Sequence, residues 1–171
     1  VVKAANPNAQ VVFGGLAYDW FEDQGGPFRR QFLDDVLAAG GGNAFDVMNF
    51  HSYPQFASNW TAKGGPGLYE KALVIRHTLQ TYGLNKPLMI TETGDYNNGD
   101  PLLAGSDENQ VRNVVKLYTQ SLAAGIQATI WFLLYDLDDD YALPSGLLTN
   151  GDPPTVKPAY VVYQHAAKAL S

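Results

Sequence analysis

A single glutamate stands at the end of an otherwise apolar or β-branched stretch of this sequence. Glu92 follows residues 88–91, which read LMIT, and precedes Thr93 and Gly94. A carboxylate in such a place can serve as a nucleophile when its neighbours keep it ionised, or as a general acid when they keep it protonated. It can also be a plain salt-bridged carboxylate at a strand end. The residues expected to surround Glu92 decide which interpretation is favoured.

Polar and aromatic side chains also collect where other apolar runs end. They are Tyr18 and Asp19 after residues 9–17, Asn49, His51 and Tyr53 within residues 44–53, and Tyr135 and Asp136 at the end of residues 128–136. Chemistry at the carboxyl ends of several parallel strands is typical of a β/α barrel. An open doubly wound sheet would concentrate it at one switch point. The spread of these residues therefore favours the barrel.

Four short apolar runs alternate with four helical patterns along the chain, which predicts parallel strands joined by helical crossovers. The predicted strands are residues 9–17, 44–53, 87–93 and 128–136, and the predicted helices are residues 26–40, 67–83, 106–125 and 157–170. The strands are nearly all apolar, as strands covered on both faces should be. Either an open sheet or part of an eight-stranded barrel fits this α/β pattern.

The composition excludes several classes of protein. The chain has 171 residues, of which 46% are hydrophobic and 16% charged, so it can fill the core of a single domain. Its net charge of −6 argues against a nucleic-acid partner. No apolar run approaches the roughly 20 residues that span a membrane. The absence of cysteine and of glycine-rich phosphate loops leaves no expectation of a metal or a cofactor, and the compartment stays open.

Alternation along the strands predicts the surroundings of Glu92. Glu92 shares one face of its predicted strand with Leu88 and Ile90. A glutamate among residues that pack on helices would be buried without a partner, at considerable cost, so this face should point to the barrel axis. The neighbours expected on that side are His51 or Tyr53 from one adjacent strand and Trp131 or Tyr135 from the other.

Four segments in this order resemble the last four βα units of a retaining glycoside hydrolase of clan A, the (β/α)8 group. They are FDVMNFHSYP (45–54), KPLMITETG (86–94), GIQATIWFLLYD (125–136) and GLLTNGDPPTVKPAY (146–160). The resemblance implies that residues 1–171 form half of a TIM barrel, with four βα units that correspond to strands 5 to 8. In that clan the seventh strand ends on the nucleophilic glutamate, which matches Glu92. The sixth commonly carries His-x-Tyr, which matches His51 and Tyr53, and the eighth an aromatic sugar platform, for which Trp131 is the natural match.

The resemblance lacks one catalytic group. The clan's acid/base glutamate follows an asparagine on the fourth strand, and this sequence contains no Asn-Glu pair. Residues 1–13 read as the end of a helix running into a strand, so we expect the fourth strand to lie upstream of Val1. A retaining glycosidase needs two carboxyl groups roughly 5–5.5 Å apart. The resemblance therefore implies the nucleophile-bearing half of an enzyme for β-linked glycans, inactive alone.

The other candidate residues each have a plainer interpretation. Asn49, Tyr135 and Trp60 complete the expected sugar-binding set, and Trp60 lies in a loop where Asn59-Trp60-Thr61 also fits a glycosylation acceptor. Trp131 could instead be a core residue, and His51 a hydrogen-bonded pocket residue. The acidic stretch 136–140 lacks the glycine and final glutamate of an EF-hand, which favours a solvated loop over a calcium site.

Two other functions fit the pattern, and the strand edges suggest a partner. A carbohydrate-binding or catalytically inactive half-barrel would keep the aromatic cleft without turnover. A flavodoxin-like α/β binding domain is disfavoured because no fifth strand or phosphate loop is found. A half-barrel would leave residues 9–17 and 128–136 as open edges, which pair readily with other chains. We therefore expect a homodimer or an N-terminal half-barrel as partner, besides the carbohydrate itself.

Overall fold

The computed structural model describes residues 1–100, 103–137 and 144–170, and it shows an α/β fold around one parallel sheet. The sheet has the order β1 (Met48–Ser52), β2 (Leu88–Thr93) and β5 (Ile126–Trp131). A short antiparallel pair, β3 (Asn98–Asp100) and β4 (Leu103–Ser106), lies between β2 and the next helix in the sequence.

Five α-helices occur in the described residues, and the longest three lie where the apolar periodicity predicts them. The helices are α1 (Val2–Ala5), α2 (Phe32–Ala38), α3 (Leu68–Thr81), α4 (Asp107–Ala123) and α5 (Pro158–Leu170). Short 3-10 turns cover Glu22–Gln24, Gly41–Ala44 and Pro54–Asn59. The second helix begins later than predicted because Phe28 pairs with Phe21 in a bridge that closes a loop. That pairing keeps the chain before Phe32 out of the helix.

The first predicted strand, residues 9–17, is an extended edge segment rather than a regular strand. It touches β1 and the residue just before it through two isolated parallel bridges, Val12 with Val47 and Leu16 with Phe50. The two bridges are four residues apart in the segment but three residues apart on the other side, so a continuous ladder cannot form. The expected four βα units therefore appear as a three-stranded parallel sheet with an extended segment beside it.

The last strand also differs from its prediction, because β5 ends at Trp131 and not at residue 136. Beyond β5 the chain turns, and residues 133–136 pair with residues 147–148. The Leu147 amide donates to the Leu133 carbonyl at 3.2 Å, and Tyr135 forms a bridge with Leu148. These contacts draw the chain away from β2.

A β-bulge in β2 reverses the side-chain alternation just before the glutamate. The paired residues of β1 and β2 include Asn49 with Met89, Phe50 with Ile90, and His51 with Glu92. Thr91 is therefore an extra residue in β2, and Glu92 shares a face with His51. The prediction that Glu92 lies on one face with Leu88 and Ile90 is wrong, because the bulge shifts the alternation by one residue.

The hydrophobic core lies between the sheet and helices α3 and α4. Among its best-buried residues, each no more than 1% exposed, are Met48, Phe50, Leu88 and Ile90 from the strands and Leu68, Ala72, Ile75, Leu79, Val114 and Leu117 from α3 and α4. Burying each large aliphatic side chain contributes about 1.5–3 kcal/mol. The opposite face of the sheet is more open: Val12 and Ile130 are exposed there. Glu92 belongs to this open face.

The part of the chain that the structure describes holds no helix long and apolar enough to cross a membrane. Nor do His, Asp and Glu side chains in these ranges gather in groups of three that could hold a metal ion. The acidic stretch 136–140, predicted to be a solvated loop, lies outside the described residues from position 138 onward.

Candidate active site

Glu92 sits at the carboxyl end of β2 with a different group at each of its carboxylate oxygens. The Tyr53 hydroxyl donates a short hydrogen bond to Oε1. The His51 Nδ1 atom lies 3.3 Å from Oε2, and the two side chains are 20% and 28% exposed, histidine first. The structure thus brings together the three residues that the sequence placed side by side. Both oxygens of the Glu92 carboxylate are thus contacted by side chains, and the carboxylate remains partly exposed to solvent.

Burial sets the protonation of the two groups that hold the carboxylate. It raises the pKa of Tyr53 far above its ordinary value, and the hydrogen bond to Glu92 adds to the rise, so the phenol keeps its proton and acts as the donor. Burial also lowers the pKa of His51. The Glu92 charge opposes this shift, and the positive charge of Lys71 adds to it. The imidazole beside Glu92 is therefore mostly neutral at pH 7.

A buried ion pair lies behind this site. Lys71, on α3, has no exposed surface, and its Nζ atom lies 2.5 Å from Asp19 Oδ1 and 3.0 Å from the Ala17 carbonyl oxygen. Burial raises the pKa of Asp19 to about 6, with Lys71 opposing the shift and the Glu92 charge adding to it. Burial also lowers the pKa of Lys71 to about 8. Asp19 is therefore a second carboxyl group near Glu92, but it is enclosed and paired.

Asp95, three residues beyond Glu92, is likewise enclosed. Gln55 Nε2 donates to one of its carboxylate oxygens at 2.9 Å, and Asn113 Nδ2 donates to the other at 2.7 Å. Burial raises its pKa. Both oxygens are thus occupied by the protein itself.

Asn49 holds the bulge that places Glu92. Its Nδ2 atom donates to Thr91 Oγ1 at 2.8 Å, and its Oδ1 atom accepts from the Thr91 amide at 3.1 Å. The side chain is buried. The predicted sugar-binding residue therefore acts in this structure on the strand beside it, and a role in binding sugar stays a prediction.

Trp131 lies on the face of the sheet opposite to Glu92. It is 7% exposed, its indole N–H donates to the Ser145 carbonyl at 3.0 Å, and its strand partner is the buried Thr93. The register shifts between β2 and β5, so the tryptophan turns toward the helices. The expected position beside Glu92 is wrong for this reason, and the buried ring does not favour a platform role.

Three other aromatic residues lie nearer to solvent. Phe132, which no sequence pattern singled out, is 36% exposed, and its amide donates to the Thr93 carbonyl at 2.8 Å. Tyr135 is also exposed. Trp60 is half-buried, with its ring 5.6 Å from that of Tyr18, so only part of its surface could meet a ligand. In the sequence Phe132 lies inside the predicted strand 128–136, so nothing marked it as a site residue; the structure ends that strand at Trp131.

No protein-family model and no curated protein matches this sequence. Solved structures do resemble it. A glycoside hydrolase family 17 β-1,3-glucanosyltransferase from Rhizomucor miehei is similar with a TM-score of 0.59 and 17% sequence identity, over 92% of this chain and 53% of that chain. GH5_18 from Streptomyces cattleya, in complex with GlcNAc, is similar with a TM-score of 0.54 and 18% identity, over 72% of this chain and 30% of that chain.

At such low identity these similarities establish the fold alone. The chain spans about half the length of the glucanosyltransferase and less than a third of the second hydrolase. This agrees with the mixed α/β architecture and its parallel sheet. The chain therefore shares the fold of part of a TIM-barrel glycoside hydrolase.

Proposed function

We propose that this chain carries the nucleophile of a retaining glycoside hydrolase site for β-linked glycans, and that Glu92 is the nucleophile. The observation that supports this most directly is that both carboxylate oxygens of Glu92 are contacted: the Tyr53 hydroxyl donates to Oε1, and the His51 imidazole lies beside Oε2. A nucleophilic carboxylate must be ionised and oriented. The phenol of Tyr53 keeps its proton, so it can donate to the carboxylate and fix its orientation.

In this mechanism Glu92 attacks the anomeric carbon, and the bond from that carbon to the leaving oxygen breaks. A second carboxylic acid gives its proton to the leaving oxygen, then takes one from a water molecule that hydrolyses the glycosyl ester and frees Glu92. Asp19 and Asp95 are poor candidates for that acid, because Asp19 is paired with Lys71 and Asp95 accepts two hydrogen bonds. We place the second group outside this chain.

The open edge beside β1 is the site that we propose for the missing half. A cavity of about 550 Å³ runs along residues 13–18 and is walled on the far side by residues such as Phe28 and Phe32. The amides of Gly14 and Gly15 donate no hydrogen bond to any described residue. An N-terminal half-barrel that adds a parallel strand here would satisfy these groups and bring an acid to Glu92. A homodimer closed through the same edge would be stable, but its two Glu92 side chains would face each other and neither would gain an acid.

Covalent trapping tests the nucleophile without the missing acid. A 2-deoxy-2-fluoro β-glycoside with a dinitrophenyl leaving group needs little proton donation, so the chain alone should form a glycosyl ester. We expect peptide mass spectrometry to find the adduct on Glu92 and to find none in Glu92→Gln. An adduct on another carboxylate, or none with any of several β-glycosides, would overturn the assignment.

A second candidate function is carbohydrate binding without catalysis. It is favoured by the enclosure of Asp19 and Asp95, neither of which is free to act as an acid beside Glu92. Oligosaccharide affinity in calorimetry, together with failure of trapping even after an N-terminal half is added, would select this function. The flavodoxin-like alternative gains no support, because the similar structures reported above are glycoside hydrolases.

A further inference from the structure

We propose that Gly15 is a positioning residue for this site, because the imidazole of His51 occupies the space that a side chain at position 15 would take. A Cβ atom at Gly15 would lie 2.2 Å from His51 Nε2, 2.9 Å from Cε1 and 3.1 Å from Cδ2. At its other end the same ring reaches Glu92, with Nδ1 3.3 Å from Oε2. The ring therefore spans the gap between the backbone of Gly15 and the candidate nucleophile.

The backbone around Gly15 is fixed with respect to the histidine. The Leu16 amide donates to the Asn49 carbonyl at 3.3 Å, and the His51 amide donates to the Leu16 carbonyl at 2.9 Å. A side chain at position 15 could be accommodated by moving this segment only if these hydrogen bonds were lost. Rotation of the imidazole is the easier response, and it breaks the contact with Glu92.

The backbone conformation does not itself require glycine at position 15. Gly15 and its neighbour Gly14 are both absent from the glycines with positive φ, so alanine fits the backbone at either place. A Cβ atom at Gly14 would meet nothing within 4 Å. Gly14→Ala is thus a matched control for Gly15→Ala, with the same chemical change one residue away and no contact with His51.

The titration of His51 reports its position. The charged groups that act on the imidazole are Glu92 from β2 and Lys71 from α3, and the Tyr53 phenol holds the other oxygen of Glu92. Burial is the main cause that lowers the pKa of His51. An imidazole displaced toward solvent loses that burial, so its titration midpoint should rise toward the ordinary value of about 6.5.

The first measurement is an NMR titration of the imidazole protons. The chain has three histidines, so His77 and His165 serve as internal references. We expect the His51 midpoint to rise in Gly15→Ala and to stay unchanged in Gly14→Ala, with both references unmoved. An unchanged His51 midpoint in a folded Gly15→Ala protein would overturn the proposal.

The second measurement is a thermal double-mutant cycle with His51→Ala, which removes the ring that the new methyl group would strike. Gly15→Ala should lower the melting temperature in the wild-type background and leave it unchanged in the His51→Ala background. If Gly15→Ala alone does not fold, the double variant should. Equal destabilisation in both backgrounds, or failure of both proteins to fold, would show that Gly15 acts only on the backbone.

The effect on chemistry rests on the proposed function. If Glu92 is the nucleophile, the trapping rate should fall by up to about 100-fold in Gly15→Ala. The titration and the melting cycle need no activity, so they can succeed while trapping fails. Failure of this inference and failure of the proposed function are therefore distinguishable.

Discussion

The buried pair of Lys71 and Asp19 gives the sharpest prediction for stability. Lys71→Met keeps the length and most of the volume of the side chain but removes the ammonium group that lies 2.5 Å from Asp19 Oδ1. Asp19 is then a buried carboxyl group without a counter-charge. Breaking a buried ion pair on one side costs about 3–5 kcal/mol. For a chain of this length we expect the melting temperature to fall by roughly 6–20 °C near neutral pH.

The stability lost in Lys71→Met should depend on pH, because the protonation of Asp19 depends on it. The pKa of Asp19 is already raised to about 6 in the folded chain although Lys71 lowers it, so removing Lys71 raises it further. A folded carboxyl group with a raised pKa binds a proton more readily than the unfolded one. Its contribution to stability is present at low pH and is lost as the pH rises from the unfolded pKa of about 3.9 through the folded pKa. The free energy of unfolding of Lys71→Met should thus be closest to that of the wild type near pH 4 and lowest above pH 6.

Urea denaturation from pH 4 to pH 8 measures this dependence. Lys116→Met, an exposed lysine on α4, is the matched control and should change the free energy of unfolding little at any pH. The double variant Lys71→Met/Asp19→Asn should recover much of the loss, since no unpaired charge remains. A penalty for Lys71→Met that is the same at both ends of this range would refute the reasoning.

Four further predictions concern the site and the edge. Tyr53→Phe should lower the trapping rate of Glu92 on the order of tenfold with little change in melting temperature, since it removes a hydrogen bond to a charged group; an unchanged rate would contradict the positioning role of the phenol. Trp131→Ala should destabilise the fold by about 3–5 kcal/mol in urea titrations. Phe132→Ala should leave the fold intact and weaken oligosaccharide binding by on the order of 1 kcal/mol in calorimetry, and the reverse pattern would restore Trp131 as the platform. Light scattering at low micromolar concentration should find a dimer of the chain alone, and a monomer with a cooperative melt would mean that the open edge needs no partner.

Local patterns along the chain were sufficient for the three longest helices and for grouping the residues of the site. The apolar periodicity of α3, α4 and α5 and the apolar runs of β1 and β2 depend on neighbours a few residues apart, which the sequence displays directly. Polar residues at the ends of successive parallel strands must meet at one edge of the sheet, so Glu92, His51 and Tyr53 could be grouped without coordinates. Their roles in chemistry stay predictions.

Tertiary structure decided which way the side chains face and which groups are buried. The bulge at Thr91 depends on the Asn49 side chain, 42 residues earlier, and it moves Glu92 to the face of His51. The register shift between β2 and β5 places the Trp131 side chain in the core. In the sequence Lys71 is an ordinary charged residue on a helix. The structure buries it beside Asp19, 52 positions away. A sequence shows the period of a pattern, but a one-residue shift in pairing reverses every face after it, and only the contacts between distant segments fix that shift.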